Sequence, residues 1–146
     1  MMPVLRLIGA ADIPAVKGLE KARLAGRSLG LAELAAAANG RGYLAVVASD
    51  DAGLGGYALA QLESPEAELY SIAVRQDLEG QGLGTKLLLF LEQNLQARGI
   101  TRILLEVAVA NTRAVALYRK NGYTQYRIRA GYYAGQDALC MDKRLK

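Results

Sequence analysis

The chain is 146 residues long, 52% hydrophobic and 22% charged, which supplies a core and excludes a disordered tail. Its 18 Lys and Arg against 14 Asp and Glu leave a net charge of +4, scattered rather than blocked, so the basic residues read as solvated surface and not as a nucleic-acid face. Cys140 is the lone cysteine and there is no histidine, which excludes an internal disulfide and argues against a zinc site and Ser-His or Cys-His nucleophilic chemistry.

One domain, residues 1–146, is expected at this length. Val4 to Ile8 is a short apolar opening strand. Ala11-Asp12-Ile13-Pro14 reads as a helix start, with Asp12 as cap and proline tolerated in the first turn. Ile13, Val16, Leu19 and Leu24 form the stripe of that helix. An alanine-rich helix from Leu31 to Ala38 stops at Asn39-Gly40. Tyr43 to Ala48 and Leu54 to Leu62 make a hairpin, and Glu68 to Val74 is a third strand. Gly82-Leu83-Gly84 leads into a helix through Arg98, with Leu83, Leu87, Leu91 and Leu95 at four-residue spacing and Gly99 behind it. Ile103 to Val109 is a strand, and Asn111-Thr112 caps a short helix with the stripe Ala114, Leu117 and Tyr118. Tyr123 to Arg129 and Ala138 to Lys143 close the chain, joined through Gly131, Tyr132, Tyr133 and Gly135. This order of helices, meander, strand–helix–strand crossover and closing pair predicts an α+β fold with a mixed, mainly antiparallel central sheet flanked by helices. The longest strongly apolar run, Leu87 to Leu91, is too short to span a bilayer, and the first six residues hold no apolar signal core. We therefore expect a cytoplasmic protein with no membrane or nucleic-acid partner, as a monomer or weak dimer.

Glu79-Gly80-Gln81-Gly82-Leu83-Gly84 joins a strand to the strongest helix. Glycines there let backbone N–H groups approach a ligand, and a helix start favours an anion, so the loop is either a phosphate cradle or a tight turn. Gly84-Thr85-Lys86 lacks the residue order of a Walker loop, and no further glycine completes a Rossmann fingerprint. Glu106 is the charged residue inside Ile103 to Val109. Alternation puts Leu104, Glu106 and Ala108 on one face, and Ile103, Leu105, Val107 and Val109 on the other. A carboxylate in an apolar strand must be partnered or wet. It is either a general base or a structural glutamate paired with an arginine such as Arg113. Asn111 is a helix N-cap by local chemistry, and Tyr118, on the side facing the sheet, is a core tyrosine unless a reaction uses its hydroxyl.

Ile72-Ala73-Val74, then Gly80-x-Gly82-x-Gly84 and a long helix, resembles the cofactor motif of the GNAT family of N-acetyltransferases, whose Gln/Arg-x-x-Gly-x-Gly/Ala loop holds the acetyl-CoA pyrophosphate. Leu105-Glu106-Val107, Asn111, Ala114, Ala116-Leu117-Tyr118 and Asn121-Gly122-Tyr123 resemble the family's LEV…N-x-x-A-x-x-LY-x-x-x-GF stretch. Ile128-Arg129-Ala130-Gly131-Tyr132-Tyr133 and Asp137-Ala138-Leu139-Cys140-Met141 are similar to the IRxxYY…DAxxM of its RimI-type members. Those acetylate the N-terminal amine of a protein, in bacteria an alanine of a small-subunit ribosomal protein. The resemblance covers Glu68 to Met141. It implies acetyl-CoA as co-substrate, with no metal, held by Ile72, Ala73, Val74, Gln81, Gly82, Leu83, Gly84, Thr85, Asn111 and Tyr118. It also implies Glu106 as a base acting through water, Tyr118 as the acid for the departing thiolate, and Tyr132 and Tyr133 over the acceptor.

The acceptor so implied is the N-terminal α-amine of a protein or peptide, with a ribosomal protein as precedent. An α-amine, with a reference pKa of about 8 against about 10.4 for lysine, needs less help from one carboxylate near neutral pH. Transfer to a lysine side chain or small free amine is the alternative, and a non-catalytic CoA-binding module is the third. The chain departs from the pattern at Glu79, a negative charge where the family has Gln or Arg, and at Arg75-Gln76, where Asp-Pro is common.

Overall fold

The computed structural model describes residues 3–23, 30–133 and 135–146. In chain order the elements are β1 (Val4–Leu7), α1 (Ile13–Arg23), α2 (Leu31–Ala38), β2 (Tyr43–Asp50), β3 (Gly53–Glu63), β4 (Glu66–Val74), α3 (Leu83–Ala97), β5 (Arg102–Ala108), α4 (Thr112–Lys120), β6 (Thr124–Tyr133) and β7 (Gln136–Arg144). The strands form a seven-stranded sheet in the order β1-β2-β3-β4-β5-β7-β6. Every neighbouring pair is antiparallel except β4 and β5, which are parallel because α3 carries the chain back across the sheet between them. The expected α+β architecture, a mainly antiparallel sheet with one crossover, is the observed one.

Helices cover both faces. On one, Leu83, Leu87, Leu88, Leu91 and Leu95 of α3 are all at most 2% exposed and pack with Val46, Ala58, Leu69, Leu105, Val107 and Met141 of the sheet. Each fully buried leucine contributes about 1.5–3 kcal/mol over an exposed one, which makes α3 the principal anchor of that layer. Val115 and Tyr118 bring α4 into the same cluster. On the other face, Val16 of α1 and Leu34 and Ala37 of α2 pack on Ala45, Val47, Tyr57, Leu59 and Ala73. α1 lies against β3 and β4, and α2 against β2. Across the layers, buried Glu92 of α3 accepts from the Tyr123 hydroxyl (2.9 Å) and from Lys143 Nζ of β7 (2.7 Å).

Two sequence expectations change locally, and a third falls outside the described residues. Asp12 does not cap α1. It ends a short 3-10 turn, Ala10–Asp12, and its carboxylate accepts from the Gly9 amide (2.7 Å) and from Arg6 of β1, a pairing that lowers its pKa. Leu24, expected in the α1 stripe, lies outside the described residues, as does Ala134. The closing hairpin is longer than its apolar pattern suggests, so Tyr132 and Tyr133 end strand β6 instead of sitting in a connection, with Tyr133 in register with Gln136. Residues Thr124 to Gln125 and Tyr126 to Ile128 of this edge strand are exposed, so burial periodicity could not mark its length.

Candidate active site

The sheet opens where its parallel pair ends. β4 and β5 are in register only from Glu66–Arg102 to Glu68–Leu104. Beyond that, β4 pairs with β3 alone and β5 with β7 alone. A register shift at Leu59/Ala60 leaves Tyr70 as an extra residue of β4 at the parting point, and it flips the faces. Leu69 joins the α3 layer, whereas Tyr70 packs on the α1–α2 cluster, which also holds Ala73. Ile72 and Val74 return to the α3 side.

On that side a groove of about 440 Å³ runs from β4 across the start of α3 to α4. Ile72, Ala73 and Val74 supply its strand wall, Gly80, Gly82, Leu83, Gly84 and Thr85 its loop and helix start, and Asn111, Ala114 and Leu117 its far wall. Gly82 precedes α3 with φ 85° and ψ 6°, a left-handed conformation that glycine adopts without a Cβ penalty. No side chain caps α3, so its first N–H groups are left to whatever enters the groove. A Cβ at Gly80 or Gly82 would meet no atom within 4 Å, so the backbone borders open space there. Arg75 fixes the connection before the loop: its guanidinium binds Asp77 (Nε to Oδ1, 2.6 Å) and Asp50 of the β2–β3 hairpin (Nη2 to Oδ2, 2.8 Å). Both partners raise the arginine pKa and it lowers theirs, so this clamp stays charged through the neutral range.

The opposite side of the opening holds Glu106. β5 alternates as expected, with Ile103, Leu105 and Val107 buried in the α3 layer and Leu104, Glu106 and Ala108 half-buried on the other face. A second hollow of about 170 Å³ lies there, lined by Glu63, Glu66, Glu68, Leu104, Glu106 and Tyr126 among others. Glu106 Oε1 accepts from Nη1 of Arg129 at 2.9 Å, and that guanidinium lies over the Tyr132 ring at 4.8 Å. Cys140 is in register with Glu106 on β7, and burial, with Glu106 adding to it, pushes its thiol pKa up, which disfavours a thiolate nucleophile.

Glu106 does pair with an arginine, as its structural alternative holds, but the partner is not Arg113. Arg113 donates to Glu79 instead, at the groove mouth, and Arg129 takes Glu106. The negative charge at Glu79 is therefore countered locally. Of the expected cofactor residues, Ile72, Ala73, Val74, Gly82, Leu83, Gly84, Thr85 and Asn111 all line the groove. Gln81 and Tyr118 do not: Gln81 is exposed and bonds the Asp77 carbonyl (3.3 Å), and Tyr118 lies 7% exposed in the core behind Leu117, its ring 5.8 Å from Tyr123. Asn111 is the N-cap of α4, its Oδ1 accepting from the Ala114 amide at 3.2 Å. Glu106 and Tyr118 thus lie on opposite faces of the sheet, on either side of the opening. Sequence reading missed Leu78 and Lys120 in the groove wall and Arg129 and Tyr126 beside Glu106. Strand pairing places Arg129 and Tyr126, and the packing of α4 and of the turn before the glycine loop places Lys120 and Leu78, none of which a local pattern encodes.

Known proteins resemble this chain in sequence and in fold. The model of the acetyltransferase (GNAT) family matches residues 20–123. This chain belongs to the GNAT acetyltransferase family. Family membership makes it an N-acetyltransferase. The [ribosomal protein bS18]-alanine N-acetyltransferase of Salmonella typhimurium is 36% identical over 106 residues, covering 70% of this chain and 72% of that one. Its Escherichia coli K12 counterpart is 37% identical over 98 residues, 67% of this chain and 66% of that protein. The crystal structure of the ribosomal-protein-S18-alanine N-acetyltransferase from Escherichia coli superposes with a TM-score of 0.87 at 31% identity, over 99% of this chain and 95% of that one. The GNAT fold therefore extends across both faces described here.

Proposed function

We propose that this GNAT enzyme transfers the acetyl group of acetyl-CoA to the N-terminal α-amine of a protein or peptide. The observation that carries the reading is the opening between β4 and β5, with an uncapped helix start and glycine loop on one face and Glu106 on the other. The groove fits acetyl-CoA: the α3 start and the backbone of Gly82 to Thr85 would hold the pyrophosphate, and Ile72, Val74, Asn111 and Leu117 the pantetheine arm. When bound, acetyl-CoA supplies an acetyl thioester, an activated acyl group with a thiolate leaving group.

The chain's own residues then have these tasks. Glu106, a carboxylate held by Arg129, takes the proton that the acceptor's ammonium must lose, directly or through water, before the neutral amine can attack. The family resemblance gives Tyr118, next in sequence to groove-lining Leu117, the task of delivering a proton to the leaving sulfur. Tyr126, Arg129 and Tyr132 border the acceptor side, with Tyr126 and Tyr132 exposed. A ribosomal-protein acceptor of the kind named for the relatives supports a cytoplasmic reaction.

The test is an acetyl-transfer screen against peptides with free N-termini, N-terminally blocked lysine peptides and small polyamines. Transfer to the free N-termini is expected. Transfer confined to blocked lysine peptides or polyamines overturns the acceptor assignment.

A further inference from the structure

We propose that Arg129 selects the acceptor class: beside Glu106, its guanidinium donates to the carbonyl oxygen of the acceptor's first residue and so favours amines that carry a carbonyl next to them. The inference rests on the α-amine reading above. Arg129 reaches Glu106 through one nitrogen, Nη1 to Oε1 at 2.9 Å. Among the described residues its Nε and Nη2 have no hydrogen-bond partner. Its side chain is 39% exposed while that of Glu106 is 17% exposed, so the guanidinium is the more accessible member of the pair. Tyr132, with its ring 4.8 Å from the guanidinium carbon, holds the guanidinium in place.

The geometry suits a peptide N-terminus. In such an acceptor the amine nitrogen and the first carbonyl carbon are two bonds apart, through N–Cα and Cα–C. A carboxylate and a guanidinium in direct contact can therefore address both groups of one residue together. A lysine ε-amine has a long methylene stem between nitrogen and carbonyl, and a polyamine has no carbonyl at all, so neither satisfies the second donor. A site built to bond a polar group discriminates against the analogue that lacks it. The positive guanidinium also disfavours the ammonium form of a neighbouring amine, which favours the neutral nucleophile. Lysine could keep the ion pair with Glu106, but its three N–H donors sit on one nitrogen, so it lacks the planar fork that reaches a second acceptor and stacks on the tyrosine.

The experiment compares two acceptors. One is a short peptide with a free N-terminal alanine, and the other is the same peptide with its first amide replaced by a trans alkene. Both are assayed for kcat/KM with the wild type, Arg129→Gln and Arg129→Lys. The wild type should prefer the amide by roughly 10–100-fold, the range of one hydrogen bond to a charged group. Both variants should lose most of that preference, with the amide peptide falling and the alkene peptide nearly unchanged. An equal fall for both peptides overturns the proposal, because Arg129 would then serve only Glu106 or the fold. The wild-type preference decides the matter even where a variant does not fold: no preference for the amide also overturns it. If the wild type acetylates lysine peptides but neither N-terminus, the α-amine reading itself has failed and this inference with it. Transfer to both N-termini at equal rates refutes the role of Arg129 alone.

Discussion

Replacing Gly82 with alanine separates backbone strain from ligand exclusion. Gly82 has φ 85°, so Gly82→Ala forces a side-chain-bearing residue into the left-handed region at a cost of about 1–2 kcal/mol. For a chain of this size that lowers Tm by about 3–8 °C. The added methyl meets no protein atom within 4 Å, so sterics inside the free protein contribute nothing further. It does occupy the space beside the first N–H groups of α3. Losing one hydrogen bond between an N–H and a charged phosphate there weakens CoA by roughly 10–100-fold. Gly84→Ala is the internal control. Its Cβ would touch Leu117 at an ordinary 3.5 Å, its backbone is not left-handed, and alanine is the better helix former. That variant should keep or raise Tm and hold CoA affinity within about threefold, under 1 kcal/mol. Calorimetric titration with CoA and thermal unfolding, run on both proteins, give the two numbers independently. A folded Gly82→Ala protein with reduced Tm but wild-type CoA affinity would refute the phosphate-cradle reading.

Glu106→Gln keeps an oxygen for Arg129 but not the proton acceptor, and Tyr118→Phe keeps the packed ring but not the hydroxyl. Each should slow single-turnover acetyl transfer by about 10²–10⁴-fold with CoA affinity near wild type, and wild-type rates for both would make the two residues structural. Glu79→Gln releases Arg113 at the groove mouth, so CoA should bind modestly tighter, with a gain that shrinks as salt rises; weaker binding would mean that the Glu79–Arg113 pair organises the loop. Glu92→Ala strips half-buried Lys143 and buried Tyr123 of their shared acceptor and should cost about 3 kcal/mol in urea unfolding, somewhat less than a fully buried pair because Lys143 keeps partial access to water. A loss under about 1 kcal/mol would show that this link carries little of the stability.

Much of the architecture follows from local chemistry. The four-residue leucine spacing alone specifies α3, because a helix brings those residues onto one stripe that water disfavours. Asn111 declares the start of α4 through its own side chain, and the glycines declare the loop by the backbone freedom that it needs. The alternation of β5 is enough to separate Glu106 from Leu105 and Val107. What no local pattern holds is the identity of the neighbours. Glu106 meets Arg129, 23 residues away, because β7 inserts between β5 and β6 and sets their registers, with Cys140 opposite both Glu106 and Arg127. Arg113, much nearer in sequence, is carried by α4 to the opposite face and pairs with Glu79. The parting of β4 from β5 is also a tertiary outcome. Hydrogen bonding between two strands depends on where each is held by its other partner, and here β3, through the bulge at Tyr70, and β7 draw them apart.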